Sequence, residues 1–176
     1  TATLFINGGA HKGLDRLLQV AGTIDYDGNE LYFARASNTP GTLEILPGGI
    51  LNVTGEADIR RWNNNAGNLL LNRGTLNRDG IGTTEITIPF QNDGATQVNA
   101  GILQPSHDSS TTGNFDIAEE AQLVYNGGTH TLTDTSAIRA TSLRVRSGSV
   151  VTDGTYNLAV TRLSEGGQLY LNTDAA

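Results

Sequence analysis

Few residues in this chain have types and spacing that suit chemistry. Glu119 and Glu120, with Asp116 nearby, supply the paired carboxylates that acid–base hydrolysis uses. Adjacent residues of an extended segment point to opposite faces, so this pair is expected in a solvated turn rather than around one substrate. Asp25-Tyr26-Asp27-Gly28-Asn29-Glu30 sets oxygen donors at alternate positions, as a Ca²⁺ loop does. The twelfth position of that loop would be Ala36 instead of a bidentate Glu, and the Gly-x-Asp nonapeptide of calcium-binding β-rolls is absent. The expectation is an acidic turn, with no metal and no other cofactor. His11, His107 and His130 lie far apart, and no nucleophile or ligand recurs beside His130, the one that falls in a repeat, in the column His130/Val150/Tyr170. No catalytic residue is assigned.

Binding is better represented than catalysis. Arg60-Arg61-Trp62-Asn63-Asn64-Asn65 sets the only Trp of the chain in a polar, positively charged loop. An indole face beside guanidinium groups can stack on a sugar ring or grip an acidic partner. The alternative is a Trp laid over the flank of the fold to cover core. Arg60, Arg61 and Trp62 are therefore the candidate surface-binding residues.

The elements that carry these residues follow from a repeat. Leu123, Leu143 and Leu163 recur every 20 residues, with small residues or Gly after each at one register. Ile50, Leu70 and Phe90 share that spacing, as do Asn52, Asn72 and Asn92. Within each unit apolar residues alternate, as in Ile86/Ile88/Phe90, Phe115/Ile117 and Leu143/Val145, which is the pattern of strands with one buried face. Gly-Gly, Asp-Gly and Asn-Gly pairs bound the units and allow the chain to turn. Antiparallel hairpins would reverse the order in alternate strands. Here the same order returns in the same direction, so equivalent residues stack, which predicts a parallel β-solenoid with about 20 residues per coil. In that fold Asn52, Asn72 and Asn92 form an amide ladder along the axis.

Two domains are expected. Residues 47–176 hold the solenoid repeats, with a polar insertion loop near 104–112 where the phase slips. Residues 1–46 fit less well and read as an N-terminal cap or degenerate coils, with a helical turn over Lys12–Val20. The register Leu163, Gly167, Leu169, Leu171 stays in phase almost to Ala176. A chain in phase to its end, without Met at residue 1, suggests an interior slice. Partners are then further repeats of the same chain, or another copy of it.

Composition narrows the partners. The 176 residues carry 11 Lys and Arg against 18 Asp and Glu, a net charge of −7. That argues against nucleic acid and against an anionic membrane surface. No run is long enough to insert in a membrane. With no Cys, thiolate metal sites, redox motifs and disulfides are excluded. A flat Thr array for ice or mineral binding fails too, because Thr129, Thr131 and Thr133 meet Ser149, Val151 and Asp153 in the next coil.

The ordered run Leu71-Asn72-Arg73-Gly74-Thr75-Leu76-Asn77, Gly82 to Asn92, Ala100-Gly101-Ile102-Leu103, Gly113 to Ala118, Gly127 to Leu132 and Gly154 to Leu158 resembles a repeat of large bacterial surface proteins. It is similar to the passenger regions of autotransporters and to filamentous-haemagglutinin-like adhesins, over roughly residues 47–173. The resemblance implies a right-handed β-helix, export to the cell surface, and adhesion, matrix building or spacing. It transfers no catalytic residue. Arg73, Arg78, Arg144 and Arg146 depart from its small polar pattern. The function expected is a non-enzymatic extracellular structural or adhesive segment of a larger surface protein, rod or filament, with host or matrix glycan or protein as a further partner. The runner-up is a carbohydrate-binding or carbohydrate-cleaving β-helix, of the lyase or hydrolase kind.

Overall fold

A computed structural model of the chain describes residues 2–36, 39–63 and 67–172. Among these residues there are twenty strands and no helix, hence none long and apolar enough to cross a membrane. The first coil is β1 (Thr3–Gly8), β2 (Lys12–Leu14) and β3 (Leu17–Val20). The second is β4 (Thr23–Gly28), β5 (Leu31–Phe33) and β6 (Thr42–Ile45), and the third β7 (Ile50–Val53), β8 (Ile59–Arg61) and β9 (Leu69–Asn72). Then come β10 (Thr75–Arg78), β11 (Thr83–Ile86) and β12 (Phe90–Asn92), followed by β13 (Ala95–Val98), β14 (Ile102–Pro105) and β15 (Ser109–Thr111). β16 (Asn114–Ile117), β17 (Gln122–Leu132), β18 (Ala137–Thr152), β19 (Thr155–Leu163) and β20 (Gln168–Leu171) complete about eight coils. In the later coils one strand continues around a corner, with register shifts after Tyr125 and Asn126 in the β17–β18 pairing.

All recorded strand pairings are parallel, and each strand pairs with its counterpart one coil away. The result is a three-faced β-solenoid, on the order of 40 Å long at the ~4.8 Å strand spacing. Alternation sends every second side chain inward. On the first face Ile24, Leu51, Leu76, Thr96, Phe115 and Ile138 stack in one buried column. At the corner joining the third face to the first, a glycine column lets the backbones approach. A Cβ on Gly94 would lie 2.3 Å from the carbonyl oxygen of Gly74, and one on Gly113 1.9 Å from that of Gly94.

Several sequence expectations change here. Of the two alternatives for the N-terminal region, residues 3–45 take the form of coils, strands β1 to β6 in register with the rest, and the helical turn at Lys12–Val20 is not formed. Leu14 and Leu18 point inward from two different faces, so their spacing spans a corner instead of a helical turn. The segment 104–112 holds the end of β14 and all of β15, and is no insertion loop. The coils themselves vary in length. Thr23 stacks on Ile50 and Ile50 on Thr75, whereas Thr75 stacks on Ala95. The added residues lie mostly in two loops at the corner between the second and third faces, 34–41 and 62–68. A fixed period of 20 thus carries Ile50 off the third face, where Leu70 and Phe90 stack. Leu163 likewise faces Val145 instead of Leu143, and Tyr170 faces Val151 instead of Val150. Residues 173–176, where the register was expected to end, lie outside the described residues.

Candidate functional site

The described starts of the two long loops, at Ala34 and at Trp62, lie one above the other. Ala34 starts the first loop at φ 59°, a left-handed conformation that costs an ordinary residue energy. It is held there by burial and by donating its N–H to Leu14 O at 3.0 Å. The turn swings Arg35 outward. One coil on, the N–H of Trp62 donates to Phe33 O at 3.0 Å, and Asn63 Nδ2 donates to Ala34 O at 3.3 Å. The Trp62 ring is 52% exposed. Its ring neighbours are Tyr32, edge-on at 4.9 Å and 89°, and the Arg35 guanidinium, whose carbon is 5.5 Å from the ring centroid. Both neighbours sit on the outside of the solenoid.

The ledge extends toward the first coil. His11 meets Tyr32 edge-on at 5.2 Å, and Arg35 donates through Nη1 to His11 O at 2.9 Å. His11 Nδ1 lies 2.6 Å from Glu30 Oε2. The Glu30 carboxyl is held below its ordinary pKa, first by a backbone N–H, then by His11 and Arg60. Arg60 spends its charge on Asp58 at 2.6 Å and Glu85 at 3.2 Å. The guanidinium of Arg61 is exposed at the corner, with no hydrogen-bond or ion-pair partner among the described residues.

Of the residues singled out by sequence, Arg60, Arg61 and Trp62 adjoin but do not form one cationic loop. Arg60 points out from β8 and is neutralised, while Arg61 and Trp62 turn the corner. Asn64 and Asn65 lie outside the described residues. Tyr32 and Arg35 were missed, and His11 was weighed only for catalysis and not connected with them. They come from earlier coils, and the long second coil puts them out of phase with any 20-residue column. The usable signal was the surplus length at 34–41 and 62–68, which marks where a solenoid grows loops.

The amide ladder is divided. Asn72 Nδ2 donates to Asn92 Oδ1 at 2.8 Å, inside the core. Asn52 belongs to another column: it lies on the first face, pointing out. There it donates to Asp25 Oδ1 at 2.7 Å and accepts from Asn77 Nδ2 at 2.9 Å. The cause is the long third coil, which pairs Asn52 with Asn77.

The acidic turn is dispersed, with Asp25 bonded to Asn52 and Glu30 to His11. Asp116 faces out at 3.4 Å from Arg139, and Glu119 and Glu120 are exposed in the following turn. Among the described residues no three His, Asp or Glu converge as metal ligands would. His130 is fully buried, with Nε2 2.7 Å from Gly127 O and Nδ1 2.7 Å from Ser109 Oγ. A carbonyl only accepts, so Nε2 carries the proton and Ser109 donates to Nδ1. Burial, outweighing the Gly127 carbonyl, depresses the His130 pKa to about 4. The chain matches no protein family, no curated protein and no solved structure.

Proposed function

We propose that this chain is a non-enzymatic, extracellular structural and adhesive β-solenoid segment of a larger surface protein, rod or filament. Its resemblance to autotransporter passengers and filamentous-haemagglutinin-like adhesins is part of that reading. One observation carries it: outward polar groups are engaged in bonds from coil to coil along the solenoid. Asp25, Asn52 and Asn77 form a continuous outward ladder, Glu44 grips Arg73 at 2.6 Å, Asp116 faces Arg139, and Glu165 holds Arg146 at 3.0 Å. Such axial bonding suits a load-bearing rod. Continuation or self-association is supported by exposed apolar side chains on both end coils, Leu4, Phe5 and Leu17 on one and Val160, Leu163 and Leu171 on the other.

Single-molecule pulling tests the scaffold. Stepwise unpeeling at high force is expected, with weaker steps after Asn52→Ala. Collapse in one step at low force would overturn the reading. So would depolymerisation of a polysaccharide that is lost in Asp116→Asn, Glu119→Gln or Glu120→Gln. Carbohydrate binding without cleavage has a specific observation of its own, the exposed Trp62–Tyr32–Arg35 stack.

A further inference from the structure

We infer that the corner ledge of Trp62, Tyr32, Arg35 and Arg61 binds an acidic saccharide, a sugar ring carrying a carboxylate or sulfate. This deepens the adhesive part of the reading above. Trp62 is among the exposed large apolar residues, and the aromatic and cationic neighbours of its ring, Tyr32 and Arg35, stand outside the inward columns. An exposed indole set at right angles to a phenol makes a step of about one coil in height, and pyranose C–H faces stack on such rings.

Charge selects the kind of sugar. The chain carries a net charge of −7, yet the Arg35 guanidinium beside this ring, and that of Arg61, the residue preceding Trp62, have no carboxylate partner among the described residues. Arg35 bonds a carbonyl oxygen and overlies the indole, and the Arg61 guanidinium has no partner among the described residues. Of the nearby acids, Glu30 is committed to His11, both Asp58 and Glu85 to Arg60, and the Asp15 carboxylate accepts from the backbone N–H of Ala36 at 3.1 Å. A planar guanidinium offers paired donors that fit a carboxylate or sulfate, and Arg35 is already held over Trp62 by its carbonyl bond. Aromatic stacking and a guanidinium without a carboxylate partner thus meet at one place, which suits a single anionic sugar ring.

Trp62 is the only Trp, so fluorescence excited at the red edge, where the five Tyr do not absorb, reports this ledge. The chain is titrated with a heparin hexasaccharide, a galacturonate oligomer, neutral dextran and polyglutamate. A saturable change is expected with one or both acidic sugars, and which of them binds names the anionic group. Arg35→Gln and Arg61→Gln should each weaken binding by about tenfold, the worth of one charged hydrogen bond. Arg162→Gln, an exposed arginine of the last coil, should leave it unchanged. Thermal midpoints confirm that each variant folds, and the pulling response of Arg61→Gln should match the parent, which separates this test from that of the scaffold. No saturable change with either acidic sugar, an equal response to dextran or polyglutamate, or equal weakening by Arg162→Gln would overturn the inference.

Discussion

Asn72 donates from Nδ2 to the Oδ1 of Asn92, 2.8 Å away and one coil further on, with both amides sealed from solvent. The same nitrogen reaches Ala95 O at 2.8 Å, and Asn72 Oδ1 accepts from the N–H of Gly74 at 3.2 Å. The pair therefore fastens the corner between the third and first faces across successive coils. Asn72→Ala removes the bonds to Asn92, Ala95 and Gly74 and should cost about 1–3 kcal/mol. Gln97→Ala, on an exposed outward position, should cost little. Equal urea midpoints for the two variants would reduce Asn72 to an ordinary turn residue.

That pair also marks how far the sequence could be read. Parallel stacking was legible because Leu70/Phe90, Asn72/Asn92 and Leu123/Leu143 do stack at a spacing of 20. Asn52 shares the spacing without sharing the column, since period counting is blind to a coil that gains residues at its corners. The same blindness hid Tyr32 and Arg35. Their nearness to Trp62 depends on where two loops emerge, and loop length leaves no periodic trace. Leu14 and Leu18 show a further limit. A corner between two short strands can imitate the spacing of a helix, and only pairing with the next coil tells them apart.

The glycine corner should be intolerant of a methyl group. In Gly94→Ala the new Cβ would stand 2.3 Å from Gly74 O, a backbone atom that yields only if a whole coil shifts. The expected loss is about 1–3 kcal/mol or more, as for other overpacked sites. Gly9→Ala has nothing within 4 Å of the added atom and serves as the control. A Gly94→Ala chain that melts with the parent would show that the coils can separate freely at this corner.

Tyr125 should tolerate the opposite change. Its hydroxyl is buried with no hydrogen-bond partner among the described residues, and burial pushes its pKa up. An unmatched buried hydroxyl costs free energy, so Tyr125→Phe should be neutral or stabilising by about 1 kcal/mol. Destabilisation of that size, measured by urea unfolding, would require a partner for the hydroxyl.

His130 should make the solenoid sensitive to mild acid. Its ring lies 4.2 Å from that of Tyr125, between the Ser109 hydroxyl and Gly127 O, and is neutral at pH 7. In the folded chain it binds a proton only near pH 4, while in the unfolded chain it does so near 6.5. Between these values the unfolded state holds more protons, so stability falls as pH drops from about 6.5 and levels off below about 4. The full difference is on the order of 3 kcal/mol. Protonation would also convert Nδ1 from an acceptor into a donor facing Ser109, so that hydroxyl would have to rotate. Other carboxylates titrate over part of this range, so the diagnostic quantity is the difference between parent and His130→Gln. Urea unfolding from pH 7.5 down to 4 should show a steeper loss in the parent. Parallel pH profiles for the two chains would mean that His130 does not set the acid response.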